Sequence, residues 1–428
     1  MKLKQKKYIG IIGSGFIAKG LMYALQYDPY LEVSKVLTRR DFDKVEKLPV
    51  KKNQLTHNIS DVIRNSDLVV EATGDVLYAT ETVEHVLLSG LPVVTMNAEL
   101  QLTTGSMLSR LGTLIEAEGD QPGTLAALDT EVKSMGFKPL VYGNIKGFLN
   151  LNPPKEDMEY WAKRQGIRLD KVTAFTDGTK VEIEQALVAN GLGATISKKG
   201  MKAIACNSFE DGAETLAKSA RRQGAVLSDY VVCGGAPAGV FIVATHDKSQ
   251  IPYLNYLKLG SGPFYTIIKP YHLCHLEISK TIRHVLTNSS TYTFNNGTSP
   301  TVQVVAVAKK DLKPGETIAH GIGSFKVRGQ ASLIDDSRKA VPIGLMDNVV
   351  IEKPIKAGKV IQTDQITMPY SRAKELWEAL MYEKYQVAST KAQPRKNRVT
   401  PLGSRNSSLW YHFLRNSKTN QRITRLKA

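Results

Sequence analysis

The feature of this sequence that most constrains its fold is a glycine-rich turn close to the N-terminus, set between a strand-like and a helix-like segment. Residues 8–12 are mostly apolar, and residues 16–26 carry apolar side chains at helical spacing. The string GSGFIA joins them in a GxGxxA pattern, whose first glycine permits a tight turn and whose second lets a pyrophosphate approach the backbone. The next helix would present free N–H groups to the phosphates, so the pattern predicts a dinucleotide-binding turn. The residues expected to contact the dinucleotide here are Gly13, Gly15, Phe16, Ile17 and Ala18.

The N-terminal third of the chain alternates short apolar segments with amphipathic ones, which is typical of βαβ units and a parallel sheet. We therefore expect an α/β protein whose first domain is a Rossmann fold, a doubly wound parallel sheet covered by helices. Strands are predicted at residues 8–12, 33–37, 67–72 and 91–96, and helices at residues 16–26, 81–89 and 107–117.

The end of the second predicted strand indicates which dinucleotide is bound. An enzyme that uses NAD normally has Asp or Glu there, which binds the ribose hydroxyls and would repel a 2′-phosphate. This chain has Thr38, Arg39 and Arg40 at that point, so a phosphate would meet one hydroxyl and two guanidinium groups. Asp41 and Asp43 follow closely and would favour NAD if the strand ended a few residues later. The sequence on balance predicts NADP(H).

Two further strand ends carry polar residues at the carboxyl edge of the predicted sheet, where ligands bind in open α/β folds. Residues 71–75 read EATGD, and residues 95–99 read TMNAE. Amide groups at such positions commonly flank a nicotinamide ring, and the alternative is a plain turn. We expect Thr73, Gly74 and Asn97 to contact the cofactor.

Beyond the first domain the pattern becomes a mixture of helices and strands, followed by short β-type segments. A polar, turn-rich stretch at 288–300 is interpreted as a linker. After it, LKPGETI (312–318) and IKAGKVI (355–361) form a weak internal repeat, which resembles the small all-β SAF module. The predicted domains are residues 1–145 for NADP binding, 146–300 for the substrate, 301–370 for the SAF-like module, 371–386 as a closing helix and 387–428 as a disordered basic tail.

Composition and charge describe a globular cytoplasmic protein that binds neither nucleic acid nor membrane. Hydrophobic residues make up 42% of the 428 residues, and no apolar run approaches the length that spans a bilayer. Of the net charge of +17, ten positive charges lie in residues 391–428, so no basic stripe marks the body of the chain. The cysteines Cys206, Cys233 and Cys274 are widely spaced and form no CxxC pair, which favours reduced thiols.

Two segments of the predicted substrate domain carry side chains suited to proton transfer. Residues 175–184 run FTDGTKVEIE into a helix, in which Lys180 and Glu184 are four residues apart and share one face. The alternative to a catalytic role for this pair is a solvent-exposed ion pair. Around His272 the sequence reads KPYHLCHLE, and a histidine general acid is favoured over a metal site because the spacing matches no recognised metal motif. We therefore expect no metal ion.

Several strings occur in the order that one group of oxidoreductases shows. These strings are EATGD (71–75), GDQP (119–122), DGTK (177–180) with Ile183 and Glu184, and the segment 270–277 around His272. Residues 8–285 resemble the homoserine dehydrogenase-like oxidoreductases. Residues 8–369 resemble the branch of that group that carries a C-terminal SAF domain and includes 1-deoxy-D-xylulose 5-phosphate reductoisomerase-like enzymes. Homoserine dehydrogenases have an Asn-Lys pair where this chain has Asn97, Ala98 and Glu99, which argues against homoserine as the substrate.

The resemblance implies NADPH-dependent reduction of a carbonyl on a small polyol, sugar-acid or sugar-phosphate substrate, with or without a preceding skeletal rearrangement. Lys180 would polarise the carbonyl oxygen, Glu184 would orient Lys180 or move a proton, and His272 would be the general acid. The expected partners are a small-molecule substrate and further copies of the chain in a homo-oligomer. The alternatives are an amino-acid-pathway dehydrogenase close to homoserine dehydrogenase, and a non-catalytic NADP(H)-binding or SAF carbohydrate-binding protein. The residues expected to bind the substrate are Asp120, Lys146 and Asp177.

Overall fold

The computed structural model describes residues 3, 5–45, 48–287 and 292–391 of the chain. The chain separates into two compact units, Met1–Met381 and Tyr382–Ala428. In the second unit the described part is the end of a helix that runs to Lys391. The predicted disordered tail is therefore helical at 387–391, and the remainder of that prediction, 392–428, lies outside the described residues. No helix within the described residues is long and apolar enough to cross a membrane.

The N-terminal part of the first unit is a parallel sheet of six strands. Its strands are β1 (Lys7–Ile12), β2 (Leu31–Leu37), β3 (Leu55–Thr56), β4 (Leu68–Glu71), β5 (Val93–Thr95) and β6 (Leu114–Glu116). Its helices are α1 (Phe16–Leu25), α2 (Ile59–Arg64), α3 (Val76–Leu88), α4 (Ala98–Leu100) and α5 (Ser106–Leu108), with a π-helical turn at Gln101–Gly105 between the last two. The strand order β3-β2-β1-β4-β5-β6, with neighbouring strands parallel, is that of a doubly wound Rossmann sheet, which confirms the predicted α/β class.

The central strands β4 and β5 are short buried runs because a parallel sheet is covered on both faces. Ile9 and Ile11 of β1 are fully buried, and so is Val70 of β4. Helix α1 packs Leu21 and Met22 into the same core, one turn apart from its other buried residues. The alternation of buried strand and amphipathic helix thus places the glycine-rich turn at the carboxyl edge of the sheet.

One element predicted in this domain is wrong. Residues 107–117, predicted as a helix, contain the end of α5 and then β6, which pairs in parallel with β5. Leu114 and Ile115 are buried in that strand. A three-residue strand that is buried on both faces shows no alternation of apolar and polar residues, so its pattern merges with that of the preceding helical segment.

The middle of the first unit forms a mixed sheet. Its strands are β7 (Lys138–Lys146), β8 (Ile204–Ala205), β9 (Leu227–Val232), β10 (Val240–Thr245) and β11 (Tyr265–Lys269), in the order β11-β10-β7-β9-β8. Its helices are α6 (Gln121–Ser134), α7 (Lys155–Gln165), α8 (Leu169–Thr176), α9 (Thr179–Leu192), α10 (Phe209–Gln223), α11 (Ile251–Tyr256) and α12 (Cys274–Leu286). Helix α9 is buried along most of its length, as expected for a helix packed on more than one side.

The C-terminal part of the first unit is built from short β segments and a closing helix. Its strands are β12 (Val302–Ala308), β13 (Thr317–Ile318), β14 (Val327–Leu333), β15 (Val349–Ile351) and β16 (Ile366–Thr367). The helix is α13 (Arg372–Lys391), whose residues from Tyr382 onward belong to the second unit. The two copies of the predicted repeat pair with each other: the Leu312 N–H donates to Ile355 O at 2.8 Å, and the Ile355 N–H donates to Leu312 O at 3.0 Å. The repeat is therefore one structural unit, and its resemblance to the SAF module stays a prediction. Single 3-10 turns lie at Phe42–Lys44, Lys52–Gln54, Lys248–Gln250, Ile343–Leu345 and Thr363–Gln365.

The stretch predicted as a linker, 288–300, is anchored in the core by two aromatic side chains. Residues 288–291 lie outside the described residues, but Tyr292 and Phe294 are buried. The Glu116 N–H donates to Phe294 O at 2.8 Å, and the Tyr292 hydroxyl donates to Glu116 O at 3.0 Å. The segment therefore supplies hydrogen-bond partners to strand β6 at the edge of the sheet. Its mostly polar composition gave no indication that Tyr292 and Phe294 would be buried.

Candidate active site

The turn between β1 and α1 has the open space that a dinucleotide needs. Gly13 has a φ of +114°, and a Cβ at this residue would lie 2.9 Å from Ala72 O. Gly15 precedes α1, and no heavy atom lies within 4 Å of the position that its Cβ would take. Among the described residues, no side chain caps the N-terminus of α1, and its first turn contains no acidic residue. The N–H groups there are free to bind an anion, so the residues fit a dinucleotide phosphate.

The other residues of the motif have different exposures. Phe16 is 74% exposed at the start of α1, and Ile17 is partly buried. Ala18 is fully buried, which allows the helix to pack closely on the strand. Phe16 and Ile17 can therefore offer backbone N–H groups to a ligand, whereas Ala18 serves the packing beneath it.

The end of β2 presents a hydroxyl and a guanidinium group beside the glycine-rich turn. Thr38 Oγ1 lies 2.8 Å from Ser14 Oγ, which joins the end of β2 to that turn. Arg39 donates a hydrogen bond to Asp75 Oδ2 at 2.7 Å, and its guanidinium lies 4.2 Å from the centroid of the Tyr78 ring. Arg39 is thus held over the surface by a carboxylate and an aromatic face while its side chain stays 59% exposed.

The two aspartates that would favour NAD are engaged in the following loop. Asp41 accepts a hydrogen bond from the Asp43 N–H at 3.2 Å, and Asp43 forms an ion pair with Lys52 at 2.7 Å. Arg40 is exposed at the end of β2. The charged side chains that directly follow the end of β2 are therefore Arg39 and Arg40. Asp41 and Asp43 come after them and are engaged with the loop.

Glu71, at the end of β4, organises the neighbouring strand ends. Its carboxylate accepts hydrogen bonds from the Thr73 N–H at 2.7 Å and from Thr95 Oγ1 at 2.7 Å, and burial raises its pKa. Asn97 donates to Glu71 at 3.4 Å and caps α4 by accepting from the Leu100 N–H at 3.0 Å. Asn97 is fully buried and both ends of its amide are engaged, so the structure places it as a turn-former beneath the edge.

Lys180 of α9 lies where the carboxyl edge of the Rossmann sheet meets the second sheet's helices. Its Nζ is 3.0 Å from Glu99 Oε2, 3.7 Å from Asp120 Oδ2 and 3.9 Å from Glu184 Oε1. The side chain of Lys180 is 12% exposed and that of Glu184 is 4% exposed. The alternative interpretation of the Lys180–Glu184 pair as a solvent-exposed ion pair is therefore wrong. Because Glu99 follows β5 and Asp120 caps α6, Lys180 gathers carboxylates from three separate elements.

The charges around Lys180 determine its protonation state. Burial alone would lower the pKa of Lys180, but the three surrounding carboxylates raise it well above its ordinary value. Burial would raise the pKa of Glu99, but Lys180 and Lys171 outweigh burial and bring it to about 2. Lys180 is therefore an ammonium, and Glu99 a carboxylate, throughout the neutral pH range.

A second ammonium lies next to Glu184. Lys146, at the end of β7, donates to Gln121 Oε1 at 2.8 Å and lies 3.4 Å from Glu184 Oε2. Asn144, two residues earlier on the strand and so on the same face, donates to the same Gln121 oxygen at 2.8 Å and to Glu184 at 3.1 Å. Burial raises the pKa of Glu184 despite the opposing charges of Lys146 and Lys180.

His272 joins this group from the turn before α12. Its Nδ1 lies 3.2 Å from the carbonyl oxygen of Gly119, the residue before Asp120, and 3.6 Å from Cys274 Sγ. If Nδ1 carries the proton toward Gly119 O, Nε2 is the atom available for proton transfer. Within the part of the chain that the structure describes, no three His, Cys, Asp or Glu side chains are arranged to hold a metal ion.

Asp177 does not join the group, and its expected contact with substrate does not fit its position. Its carboxylate is fully buried, 2.6 Å from Lys309 Nζ, and accepts the Thr179 N–H at 2.9 Å. Lys309 follows β12, and its side chain is 1% exposed. The residue lies three positions before Lys180 in sequence, but it precedes the first turn of α9, so its side chain is not on the helix face that Lys180 and Glu184 share. Asp177 ties the start of α9 to the C-terminal β segments.

Three residues of the group, Glu99, Gln121 and Asn144, were not among the predicted site residues. Glu99 belongs to the string TMNAE at a strand end. A carboxylate at that position could have been predicted to pair with a lysine. Gln121 belongs to the GDQP string, and Asn144 stands two residues before Lys146, the spacing that places side chains on one face of a strand. Each signal was present, but only the fold shows which of the many polar strand ends meet.

Two family models match consecutive parts of the chain. Homoserine dehydrogenase, NAD binding domain, matches residues 13–119, and Oxidoreductase DRL, catalytic domain, matches residues 119–278. The first match covers the glycine-rich turn and Glu99, and the second covers Lys146, Lys180 and His272.

The chain is an NAD(P)-dependent oxidoreductase. The two matches meet at Gly119, beside the Asp120 that caps α6, so the residues around Lys180 come from both matched parts of this oxidoreductase.

Solved dehydrogenase structures align with about two thirds of this oxidoreductase. A probable dehydrogenase from Thermotoga maritima has 12% identity and a TM-score of 0.41, over 66% of this chain and 89% of that one. A putative myo-inositol dehydrogenase from Sinorhizobium meliloti 1021 has 11% identity and a TM-score of 0.39, over 68% and 92%. Scyllo-inositol dehydrogenase from Lactobacillus casei has 12% identity and a TM-score of 0.37, over 67% and 90%. No curated protein matches the oxidoreductase by sequence.

Proposed function

We propose that this oxidoreductase uses NADPH to reduce a carbonyl group on a small polyol, sugar-acid or sugar-phosphate substrate. The observation that carries the proposal is the placement of Lys180, a buried ammonium held by three carboxylates beside the carboxyl edge of the Rossmann sheet. Hydride addition to a carbonyl carbon places negative charge on the oxygen, and a fixed cation in a buried site is the group that stabilises such charge.

The residues that would hold the cofactor surround the edge of the Rossmann sheet. When bound, the nicotinamide supplies a hydride, which is chemistry that no side chain of the protein can supply. The free N–H groups of α1 would bind the phosphates, and the Glu71 hydrogen bonds hold the Thr73 turn in one conformation. The residues assigned to the cofactor are Gly13, Gly15, Phe16, Ile17, Thr73 and Gly74.

Lys180 would provide the proton that the reduced oxygen needs. The oxygen takes a proton from Lys180 Nζ, and the nitrogen keeps the electron pair of the broken N–H bond. The carboxylates that raise the pKa of Lys180 also keep its Nζ in one position, at 3.0 Å from Glu99. Glu184, whose Oε1 lies 3.9 Å from Lys180 Nζ, and His272 would orient the substrate hydroxyl or move a second proton.

The polar atoms around Lys180 suit a substrate rich in hydroxyl groups. Asp120 Oδ2 and Asn144 Oδ1 are buried and have no hydrogen-bond partner among the described residues. Both atoms are acceptors, so a hydroxyl donor would satisfy each of them. Lys146 stands next to Asn144 and would donate to a hydroxyl or bind an acidic group of the substrate.

Arg39 and Arg40 support NADPH as the preferred cofactor. Arg39 is fixed by Asp75 and by the ring of Tyr78, so its guanidinium is already oriented at the end of β2. A 2′-phosphate there would gain charge-assisted hydrogen bonds from Arg39, whereas NADH offers no such group.

A screen of oxidised polyols, keto sugar acids and ketose phosphates tests the proposal, with NADPH oxidation followed by its absorbance. Oxidation by the wild-type protein and not by Lys180→Met supports it. Reduction of amino-acid semialdehydes alone, with none of the three classes turned over, would replace it by the amino-acid-pathway alternative.

A further inference from the structure

Lys171, on helix α8, lies against the carboxyl edge of the Rossmann sheet, and the proposed reaction does not use it. Its Nζ donates a hydrogen bond to Gly74 O at 3.4 Å. Gly74 has a φ of +63°, and a Cβ at this residue would lie 2.8 Å from the same nitrogen. The ammonium therefore rests directly on the turn that follows β4, which belongs to the proposed cofactor site.

That turn and the glycine-rich turn form the two walls of one crevice. Strands β1 and β4 are parallel neighbours; β2 and β3 lie beyond β1, whereas β5 and β6 lie beyond β4. The strand order thus reverses between β1 and β4, which is where doubly wound sheets bind a dinucleotide. Gly13 follows β1, and the position of a Cβ on Gly13 is 2.9 Å from the oxygen of Ala72, which follows β4. Gly74 is two residues beyond Ala72, so Lys171 lies against the wall opposite the glycine-rich turn.

The backbone of α8 holds the base of Lys171 in place. A Cβ on Gly323, between β13 and β14, would collide with the oxygen of Asp170, so the first turn of α8 packs directly on that backbone. The Asp170 carboxylate also accepts two hydrogen bonds from Arg168, at 2.9 and 3.0 Å. On the other side of Lys171, Val172 is buried. The fixed backbone on both sides limits the directions that the Lys171 side chain can take.

Lys171 has no counter-charge of its own within the described ranges. No carboxylate there forms an ion pair with it. The charge of Lys171 acts on Glu99, but the Glu99 carboxylate is engaged by Lys180 at 3.0 Å. Of the three N–H bonds of the Lys171 ammonium, one is directed at Gly74 O, a neutral acceptor. The remaining N–H bonds and the positive charge suit an anionic ligand.

We propose that Lys171 binds the pyrophosphate of the dinucleotide, so that the part of the chain that holds the second sheet also contributes a cofactor residue. The pyrophosphate is negatively charged at neutral pH in both NADPH and NADH. The free N–H groups at the start of α1 would hold it from one wall of the crevice, and Lys171 would hold it from the other. The proposal rests on the cofactor site of the proposed function and is independent of its substrate and of the preference for NADPH.

A purely structural role is the alternative for the contact between Lys171 and Gly74. The hydrogen bond joins α8 to the end of β4, so it would then serve only to tie two parts of the fold together. A neutral donor could make the same bond. The charge of Lys171 matters only if an anion binds, and this difference separates the two roles.

Calorimetric titration with NADPH, NADH and ADP-ribose tests the proposal without any substrate, since all three ligands contain the pyrophosphate. Lys171→Met keeps the length of the side chain and removes its charge. It should weaken the binding of all three ligands by the same factor, about 10- to 100-fold, the value of one or two hydrogen bonds to a charged group. Lys171→Gln keeps a neutral donor for Gly74 O and should lose as much affinity. Lys171→Arg, which keeps the charge, should recover most of it.

Lys163→Met is the matched control, because Lys163 is an exposed lysine of the neighbouring helix α7. It should change none of the three affinities. A loss of affinity in Lys163→Met equal to that in Lys171→Met would overturn the proposal, since a general loss of positive charge would then explain both.

Two further outcomes would overturn the pyrophosphate contact. Weaker binding of NADPH and NADH with unchanged binding of ADP-ribose would place Lys171 at the nicotinamide, which ADP-ribose lacks. Wild-type affinities in Lys171→Gln would show that the hydrogen bond to Gly74 O, and not the charge, is what the residue supplies. Wild-type protein that bound neither NADPH nor NADH would remove the cofactor site of the proposed function and this proposal with it, whereas unchanged affinities in the Lys171 variants overturn this proposal alone.

Discussion

Lys180 Nζ and Glu99 Oε2 lie 3.0 Å apart although 81 positions of sequence separate the two residues. Glu99 follows strand β5 of the Rossmann sheet, and Lys180 belongs to a helix of the second sheet. Homoserine dehydrogenases have a lysine directly after the asparagine at this strand end, and this chain has Ala98 and then Glu99 there. The carboxylate therefore comes from the Rossmann part of the chain and the ammonium from the part that holds the second sheet.

Replacing Lys180 by methionine should reduce turnover of a screened substrate by about 100- to 1000-fold, the usual effect of losing one charge-stabilising group at a developing oxyanion. NADPH affinity should change little, because the residues proposed to bind the cofactor lie in the glycine-rich turn, at the neighbouring strand ends and at Lys171. The change also leaves Glu99 buried without its partner, which should cost about 3–5 kcal/mol of unfolding free energy. Steady-state kinetics, cofactor titration and urea unfolding measure the three effects.

A matched control separates this site from an ordinary helix pair. Lys155 and Glu159 have the same i,i+4 spacing on α7, with their side-chain atoms 3.2 Å apart and 59% and 52% exposed. Lys155→Met should change stability by no more than about 0.5 kcal/mol and leave the kinetics unchanged. Equal effects in the two variants would show that Lys180 has no special role.

The sequence was sufficient to predict the parts of the site whose determinants are local. The GxGxxA string specifies a turn, and the spacing of Lys180 and Glu184 specifies a common helix face, because helical and strand periods relate residues a few positions apart. Thr38, Arg39 and Arg40 were likewise placed correctly at the end of β2, since the strand ends on the buried apolar pair Val36 and Leu37.

The remaining features depend on which distant segments meet. Nothing near Asp177 in sequence shows that Lys309 lies against it, and nothing in residues 288–300 shows that Tyr292 and Phe294 supply partners to β6. The helix predicted at residues 107–117 was wrong for a different reason. The three-residue buried strand β6 is too short to show a hydrophobic periodicity of its own. The topology of the fold determines which distant charges, strand edges and aromatic side chains come into contact. Local sequence patterns do not predict these contacts.

Arg39→Asp should weaken NADPH binding by about 10- to 100-fold, the value of one or two hydrogen bonds to a charged group, and should leave NADH binding nearly unchanged. Asp75→Asn should act in the opposite direction for NADPH, since it removes the carboxylate that competes with a 2′-phosphate for Arg39. Fluorescence titration with both cofactors gives the four affinities. Arg64→Asp, at an exposed arginine paired with Asp61, is the control and should alter neither. Equal wild-type affinities for NADPH and NADH would contradict the predicted preference.

The stability of the protein should depend on pH through Glu182. Burial, with Asp229 and Asp177 adding to it, raises the pKa of Glu182 from 4.5 to about 7, against the Ala331 N–H and Arg328, which lower it. Between these values the folded protein keeps a proton that the unfolded chain has released, so this stabilisation is complete below pH 4.5 and is lost as the pH rises through 7.

Glu182→Gln keeps an acceptor for the Ala331 N–H but cannot titrate. The difference in unfolding free energy between wild-type and variant protein should therefore move by about 3 kcal/mol between pH 4.5 and pH 8, in favour of the variant at high pH. Urea unfolding at a series of pH values measures it. Parallel curves for the two proteins would show that Glu182 titrates normally.

Asp177 provides the last prediction, because its position separates a structural role from the substrate contact expected from the sequence. Its carboxylate and the Lys309 ammonium are 2.6 Å apart and almost fully buried, so removing one charge strands the other. Asp177→Asn should therefore lose about 3–5 kcal/mol of unfolding free energy, while the KM of the folded protein for a screened substrate stays unchanged. The double variant Asp177→Asn with Lys309→Met should recover most of the loss, since neither charge then remains buried without a partner. Urea unfolding of the two single variants and the double variant gives the coupling energy. A raised KM in Asp177→Asn with unchanged stability would instead place Asp177 at the substrate. In that case Lys309→Met should affect stability alone, because Lys309 lies outside the catalytic-domain match at 119–278.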